Sequence, residues 1–293
     1  MQRRTEGKTG PVLIVLTAIV LFWYVMAVVM NAPWQETLNG RAELTNVPLI
    51  EFAQQTWAQD KPVLPAPHQV FAEIWNATVG TDIGSRRSLA YHAGITLGAT
   101  LMGFALGTVL GIGLAVVIVH NDASNRSLMP WIIASQTVPI LAIAPMVVVG
   151  LGAVGVTGLL PKALISMYLS FFPVVVGMVK GLRTPEQIQL DLMRTYSASA
   201  WAVFSKLRWP ASIPFLFASM KVGVAISLIG AVVGELSNNA GGGLGVRLLT
   251  GSYNGQTVQI WAALFIAAAL AAVLVILVGA SEKVVNRAMG ARA

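Results

Sequence analysis

DLMRTYSASAWAVFSKLRWP, residues 191–210, is the stretch that decides how the chain is read. It opens with polar residues, carries Arg194, Lys206 and Arg208, and sets Trp201, Phe204 and Leu207 three apart. Residues at that spacing are neighbours on a helix, so the three apolar side chains form one stripe. Ser199 stands where an N-cap is wanted, and Pro210 where the helix is expected to end. Upstream, Pro185 and Glu186 read as the start of an earlier short helix, with a turn over Tyr196–Ser199 between the two. Residues 181–210 therefore make a compact knuckle of two helices. Its stripe either packs against the protein's own membrane end, as basic amphipathic helices do, or fills a groove on a partner.

The flanks show why a membrane is involved. The chain has 293 residues, 56% hydrophobic and only 11% charged, against about a quarter charged in a soluble domain. Six apolar runs are candidate spans: 11–30, 93–119, 129–150, 158–180, 211–236 and 259–281. Each is near the ~20 residues needed to cross a bilayer as a helix. The expected fold is an all-α polytopic membrane protein with about six transmembrane helices. Run 11–30 exceeds a signal-peptide core and reads as an uncleaved anchor.

With six spans both termini lie on one side. Twelve basic residues, from Arg3 to Arg292 and including those of the knuckle, fall on that side, and six on the other. Lys and Arg are retained on the cytoplasmic face, so both termini and the knuckle are expected inside. Residues 1–10 and 282–293 are then cytoplasmic tails, 31–92 an external connector and 93–281 the core. The net charge of +7 follows from this retention and lipid contact, and calls for no nucleic acid. The connector carries Pro33, Pro48, Pro62, Pro65 and Pro67, which suggest an extended path. VFAEIW at 70–75 suits a short interfacial helix.

No cysteine is present, and three scattered histidines give no metal-ligand spacing. Gly7-Lys8-Thr9 imitates a phosphate loop, but Gln2 stands where its first glycine belongs. No catalytic constellation shares a depth, so a membrane enzyme is disfavoured, and a phosphate loop for ATP hydrolysis is missing. Gly103, Gly107 and Gly111 recur at intervals of four, a groove for close helix approach. Pro139 and Pro145 bend the third span. Lys221 falls within the fifth span, either snorkelling or facing a pathway. Glu235, at that span's outer end, is a candidate for capping a helix or contacting an external protein.

The knuckle resembles the cytoplasmic signature of permease subunits of binding-protein-dependent ABC importers: Glu-Ala-Ala, three residues, Gly, nine residues, Ile-x-Leu-Pro. Asp191, Leu192 and Met193 take the first three positions, Ser197 the Gly, Leu207 the Ile, and Trp209-Pro210 the Leu-Pro. Every interval fits, although Ser197 leaves open how tight the turn is, since Ser tolerates positive φ poorly. LPAPHQVFAEIW (64–75), GFALGTVLGIGLA (103–115), VPILAIAPMVVVGLG (138–152) and VVGELSNNAGGGLG (232–245) look like segments of the sulfonate, taurine and nitrate branch. That branch also holds importers for thiamin precursors and riboflavin.

The resemblance implies a type I importer permease fold, usually paired with a second permease copy. It implies two copies of a separate ATP-binding subunit carrying ATP and magnesium, and an external solute-binding protein. Asp191, Arg194, Ser197, Trp201, Phe204, Leu207 and Pro210 would form the ATPase-coupling loop. No cofactor is expected on this chain. The alternative is a secondary transporter or channel, which needs ionisable residues within the spans, and only Lys221 qualifies in the sequence.

Overall fold

With no water in a bilayer core, a spanning backbone must satisfy its own polar groups, and the apolar runs do so as helices. The computed structural model describes residues 9–44, 46–237 and 241–290, and among them the regular structure is entirely helical. Five helices are long and apolar enough to cross a membrane, or six if one bent pair counts as a span. Two compact units divide the chain: residues up to Leu89 with Arg247–Phe265, and Ala90–Val246 with the segment from Ile266 onward.

In the first unit, α1 (Thr9–Arg41) runs well past the expected anchor. Its extension survives Pro33 because Asn31, Gln35 and Asn39, four apart, are buried against α2 (Leu49–Trp57) and the loop behind it. Asn31 Oδ1 accepts from Val63 N at 2.8 Å and Leu64 N at 3.1 Å, while its amide donates to Leu64 O at 2.9 Å. Gln59 donates to Gln35 at 2.8 Å, and Asn39 to Gln55 at 3.1 Å. The expected extended connector is thus replaced largely by helix. Pro48 caps α2, and Pro67 opens α3 (Pro67–Thr78), positions where a missing N–H costs nothing. Trp23 stacks on Phe265 at 5.7 Å and donates its indole N–H to Pro65 O at 3.0 Å.

The second unit is built on α4 (Leu89–His120), α7 (Leu159–Leu182) and α10 (Trp209–Leu236). Small residues let these helices close up. A Cβ added at Gly103 would lie 2.2 Å from Ser166 Cβ, at Gly107 2.2 Å from Ser170 Oγ, and at Gly111 2.8 Å from Val174 Cβ. The glycine groove of α4 therefore seats α7, which is a packing role. Alpha-7 also meets α10 closely: Gly181 lies against Ser212 of α10, and Gly230 of α10 against Ser166. Ala115, Ile118, Phe171, Val174, Met178, Leu182 and Leu216 form the main apolar cluster.

The expected bend of the third span is found at Pro139 and not at Pro145, while the expected helix end at Pro210 is corrected. The span over 129–150 is two helices, α5 (Asp122–Ser135) and α6 (Ile140–Ala153), bent by 97°. Pro139 bars helical geometry at the residue before it and becomes the N-cap of α6, whereas Pro145 is carried inside α6. Pro210 does not end its helix either. After α8 (Gln187–Thr195) and α9 (Ala200–Val203), a π-helical turn over Phe204–Arg208 leads without interruption into α10. Trp209 N–H bonds Phe204 O, five residues back. The widened turn accommodates one extra residue just before the proline ring and relieves its clash with the preceding turn. Beyond α10 come α11 (Leu244–Tyr253) and α12 (Thr257–Ala288).

Candidate functional site

The knuckle begins at Glu186, the N-cap of α8, whose own N–H is held by Gln189 Oε1 at 3.0 Å. Pro185 therefore sits just outside the helix rather than in its first turn. Asp191 pairs with Arg194 at 3.0 Å and accepts from Gln187 at 3.0 Å. The pair is solvent-exposed and contributes at most about 1 kcal/mol. The helix closes on Ser197, which takes the left-handed conformation at φ 49°. Ala198 N–H bonds Met193 O at 3.0 Å and Ser197 N–H bonds Arg194 O at 2.8 Å. These are the two bonds of a Schellman ending, a place that glycine usually fills. The turn is thus formed in full with serine. Ser199 then caps α9 by accepting from Ala202 N at 3.2 Å.

The stripe splits. Trp201 is 72% exposed, whereas Leu207 is half-buried and Phe204 packs against the main cluster. Phe204 lies 5.5 Å from the His120 ring, 5.6 Å from Trp201 and 5.9 Å from Trp209. An apolar hollow of about 280 Å³ lies between Val116, His120, Ala200, Trp201 and Phe204. Alpha-8 buries none of its residues. Ile188, Leu192 and Tyr196, four apart, are all exposed and form a free apolar stripe, and Trp201 is exposed in the helix that follows. From the sequence, Leu192 and Tyr196 stand out for other reasons and are not joined with Ile188 into one stripe, although the interval of four is visible. Pro210 is exposed at the base of the knuckle, after the π turn.

At the opposite end of α10 lies a buried polar cluster. Glu235 is 0% exposed, so it offers no surface to an external partner in this structure. It instead caps a helix, and not its own: Gly245 N, in the first turn of α11, donates to its Oε2 at 2.8 Å. Thr96 Oγ1 donates to the same carboxylate at 2.9 Å and accepts from Leu244 N at 2.9 Å. His92 Nδ1 accepts from Gly243 N at 2.9 Å, and Lys162 Nζ donates to Gly242 O at 2.7 Å. Four consecutive backbone groups, from Gly242 to Gly245, are thereby each held by a different side chain. Gly243, at φ 125°, is required there, since an added Cβ would lie 2.1 Å from the Glu235 carboxyl carbon.

Lys162 is 1% exposed in the first turn of α7. Lys221 is thus not alone among ionisable groups within the spans. Lys221 itself reaches Glu282 at 2.5 Å and is part-exposed, an ion pair between α10 and α12. Pro139 and Pro145 line neither the knuckle nor the Glu235 cluster. The knuckle and the cluster mark the two ends of α10, and of these two, among the described residues, the knuckle offers the free face.

The family described as binding-protein-dependent transport system inner membrane component matches residues 107–291. A probable ABC transporter permease protein of Haemophilus influenzae is 31% identical over 175 residues, 60% of this chain and 69% of that protein. The formylaminopyrimidine transport permease protein ThiX of Halalkalibacterium halodurans is 31% identical over 198 residues, covering 67% and 74%. The riboflavin transport system permease protein RibX of Chloroflexus aurantiacus is 28% identical over 226 residues, covering 77% and 80%.

Proposed function

Because the chain belongs to the inner membrane components of binding-protein-dependent transport systems, as an ABC importer permease, we propose that it forms the passage for a small organic nutrient, driven by ATP hydrolysis on a separate subunit. The observation that carries this reading is the unpartnered apolar face of the knuckle. Ile188, Leu192 and Tyr196 stand exposed on α8 and its C-cap, outside any candidate span, and Trp201 stands exposed in the first turn of the span Ala200–Leu236. Exposed aromatic anchors on a helix suit a groove in another protein. The occupant of choice is the ATP-binding subunit, one copy on each of two permease chains, with magnesium and nucleotide bound there. A solute-binding protein delivers from outside, and both termini and the knuckle face the cytoplasm of a bacterial inner membrane.

Each chain then acts as a transmitter. ATP draws the two ATPases together, the knuckles follow because packed interfaces shift as units, and the passage exchanges its outward for its inward opening. The names of ThiX and RibX favour a nitrogen heterocycle as the solute, over a sulfonate and over nitrate. Identifying the ligand that copurifies with the cognate binding protein tests that choice.

Phe204 is a poor test of docking because it also packs within the chain, so the experiment uses Trp201→Asp. In proteoliposomes holding permease, ATPase and binding protein, this change should abolish ATP-driven uptake while insertion stays normal. Full uptake would count against the docking. As the chain has no cysteine, Gln187→Cys gives a single thiol, which should react with membrane-impermeant maleimide only from the cytoplasmic side.

A further inference from the structure

Within the first unit, a polar cavity of about 510 Å³ opens between α3, the loop behind it, α11 and the start of α12. Its size falls within the usual range for small-molecule sites. Glu73 stands on one wall and Arg247 on another, both half-buried, with Arg87 exposed at the rim. The two opposite charges do not close into an ion pair. Arg247 Nε is buried with no hydrogen-bond partner, and so is Gln259 Oε1, which lines the same space. Burial pushes the Glu73 carboxyl up and the Arg247 guanidinium down, each partly offset by the other across the gap. A half-buried charge kept from its counterpart is costly unless something completes it.

The geometry points to a site for a small zwitterion, whose ammonium meets Glu73 and whose carboxylate or sulfonate meets Arg247 and Arg87, with Asn76 and Gln259 bonding the remaining polar atoms. A simple anion would leave Glu73 uncompensated and repelled by its guest. A simple cation would leave both guanidiniums so. One molecule carrying both charges completes the two walls at once. This site is independent of the transport reading, because it shares no residue with the knuckle and its occupancy needs no ATPase.

The test is calorimetric titration of the full-length chain in lipid nanodiscs. The probes are γ-aminobutyrate and taurine, set against butyrate, ethanesulfonate and butylamine. Each charge-assisted contact contributes about 1.5–3 kcal/mol, so the zwitterions should bind about tenfold or more tighter than any singly charged analogue. Glu73→Gln should erase the advantage of γ-aminobutyrate over butyrate, and Arg247→Gln should remove binding of both. Should either variant fail to insert, the comparison of ligands on the unaltered chain still decides. Equal binding of charged and zwitterionic probes, no heat from any of them, or binding that survives both substitutions would overturn the site.

Discussion

Replacing Gly103 by Ala, with Gly113→Ala on the same helix as its partner experiment, examines how α4 and α7 meet. In a helix interior Ala is favoured over Gly by about 1 kcal/mol. At Gly113 an added Cβ has nothing within 4 Å, so that gain should appear undiminished. At Gly103 the same atom would lie 2.2 Å from Ser166 Cβ and 2.6 Å from Ala163 O. Ordinary carbon contacts are about 3.5–4.0 Å, and neither neighbour is the free end of a flexible side chain. Alpha-7 must therefore retreat by roughly 1 Å or more, and such overpacking costs about 1–3 kcal/mol. That cost separates the two variants. At about 2–4 °C per kcal/mol for a chain of this order of size, Gly113→Ala should survive several degrees more heating than Gly103→Ala. Fluorescence-detected gel filtration after a heating series reads this directly. A Gly103→Ala chain as heat-resistant as Gly113→Ala would refute the seating of α7 in the glycine groove.

Ser197→Gly removes the strain of a left-handed serine, about 1 kcal/mol, and should leave ATP-driven uptake intact. Ser197→Val, β-branched at the same φ, should lower both uptake and melting temperature. Thr96→Val strips Glu235 of a donor and Leu244 N of its acceptor, a loss of about 1–3 kcal/mol, seen as faster amide exchange at residues 243–245. Glu73 has a folded-state pKa raised by burial, so the stability it contributes is present below its unfolded value and lost as pH rises through the folded one. Glu73→Gln should accordingly melt like the unaltered chain below about pH 4 and above it at neutral pH. A constant offset across that range would contradict the assignment.

The spans were legible because apolar length alone forces helix in a bilayer, and the turn over Tyr196–Ser199 because its signals are local, although serine at 197 did not announce the left-handed ending found there. Proline was a guide at one position and not at the other. At Pro139 a span breaks by 97°, while at Pro210 a π turn absorbs the ring. Nothing in residues 200–210 by themselves announces that extra residue. Phe204 and Leu207 share a periodicity with Trp201, but periodicity does not say which of them His120 and Trp209 will cover. The Glu235 cluster was hidden for a plainer reason. Thr96 lies 139 positions from Glu235 and Lys162 lies 80 from Gly242, and only packing brings each pair within bonding distance. Lys162 did leave a trace, as a lone cation just inside an apolar run.

The π turn has a mechanical consequence. Because Pro210 is absorbed rather than obeyed, residues 200–236 form one unbroken shaft, roughly 50 Å long at 1.5 Å per residue. Its near end bears the bare indole of Trp201 and its far end grips the glycine strap at 242–245. A tug on the tryptophan reaches the strap without passing through any joint.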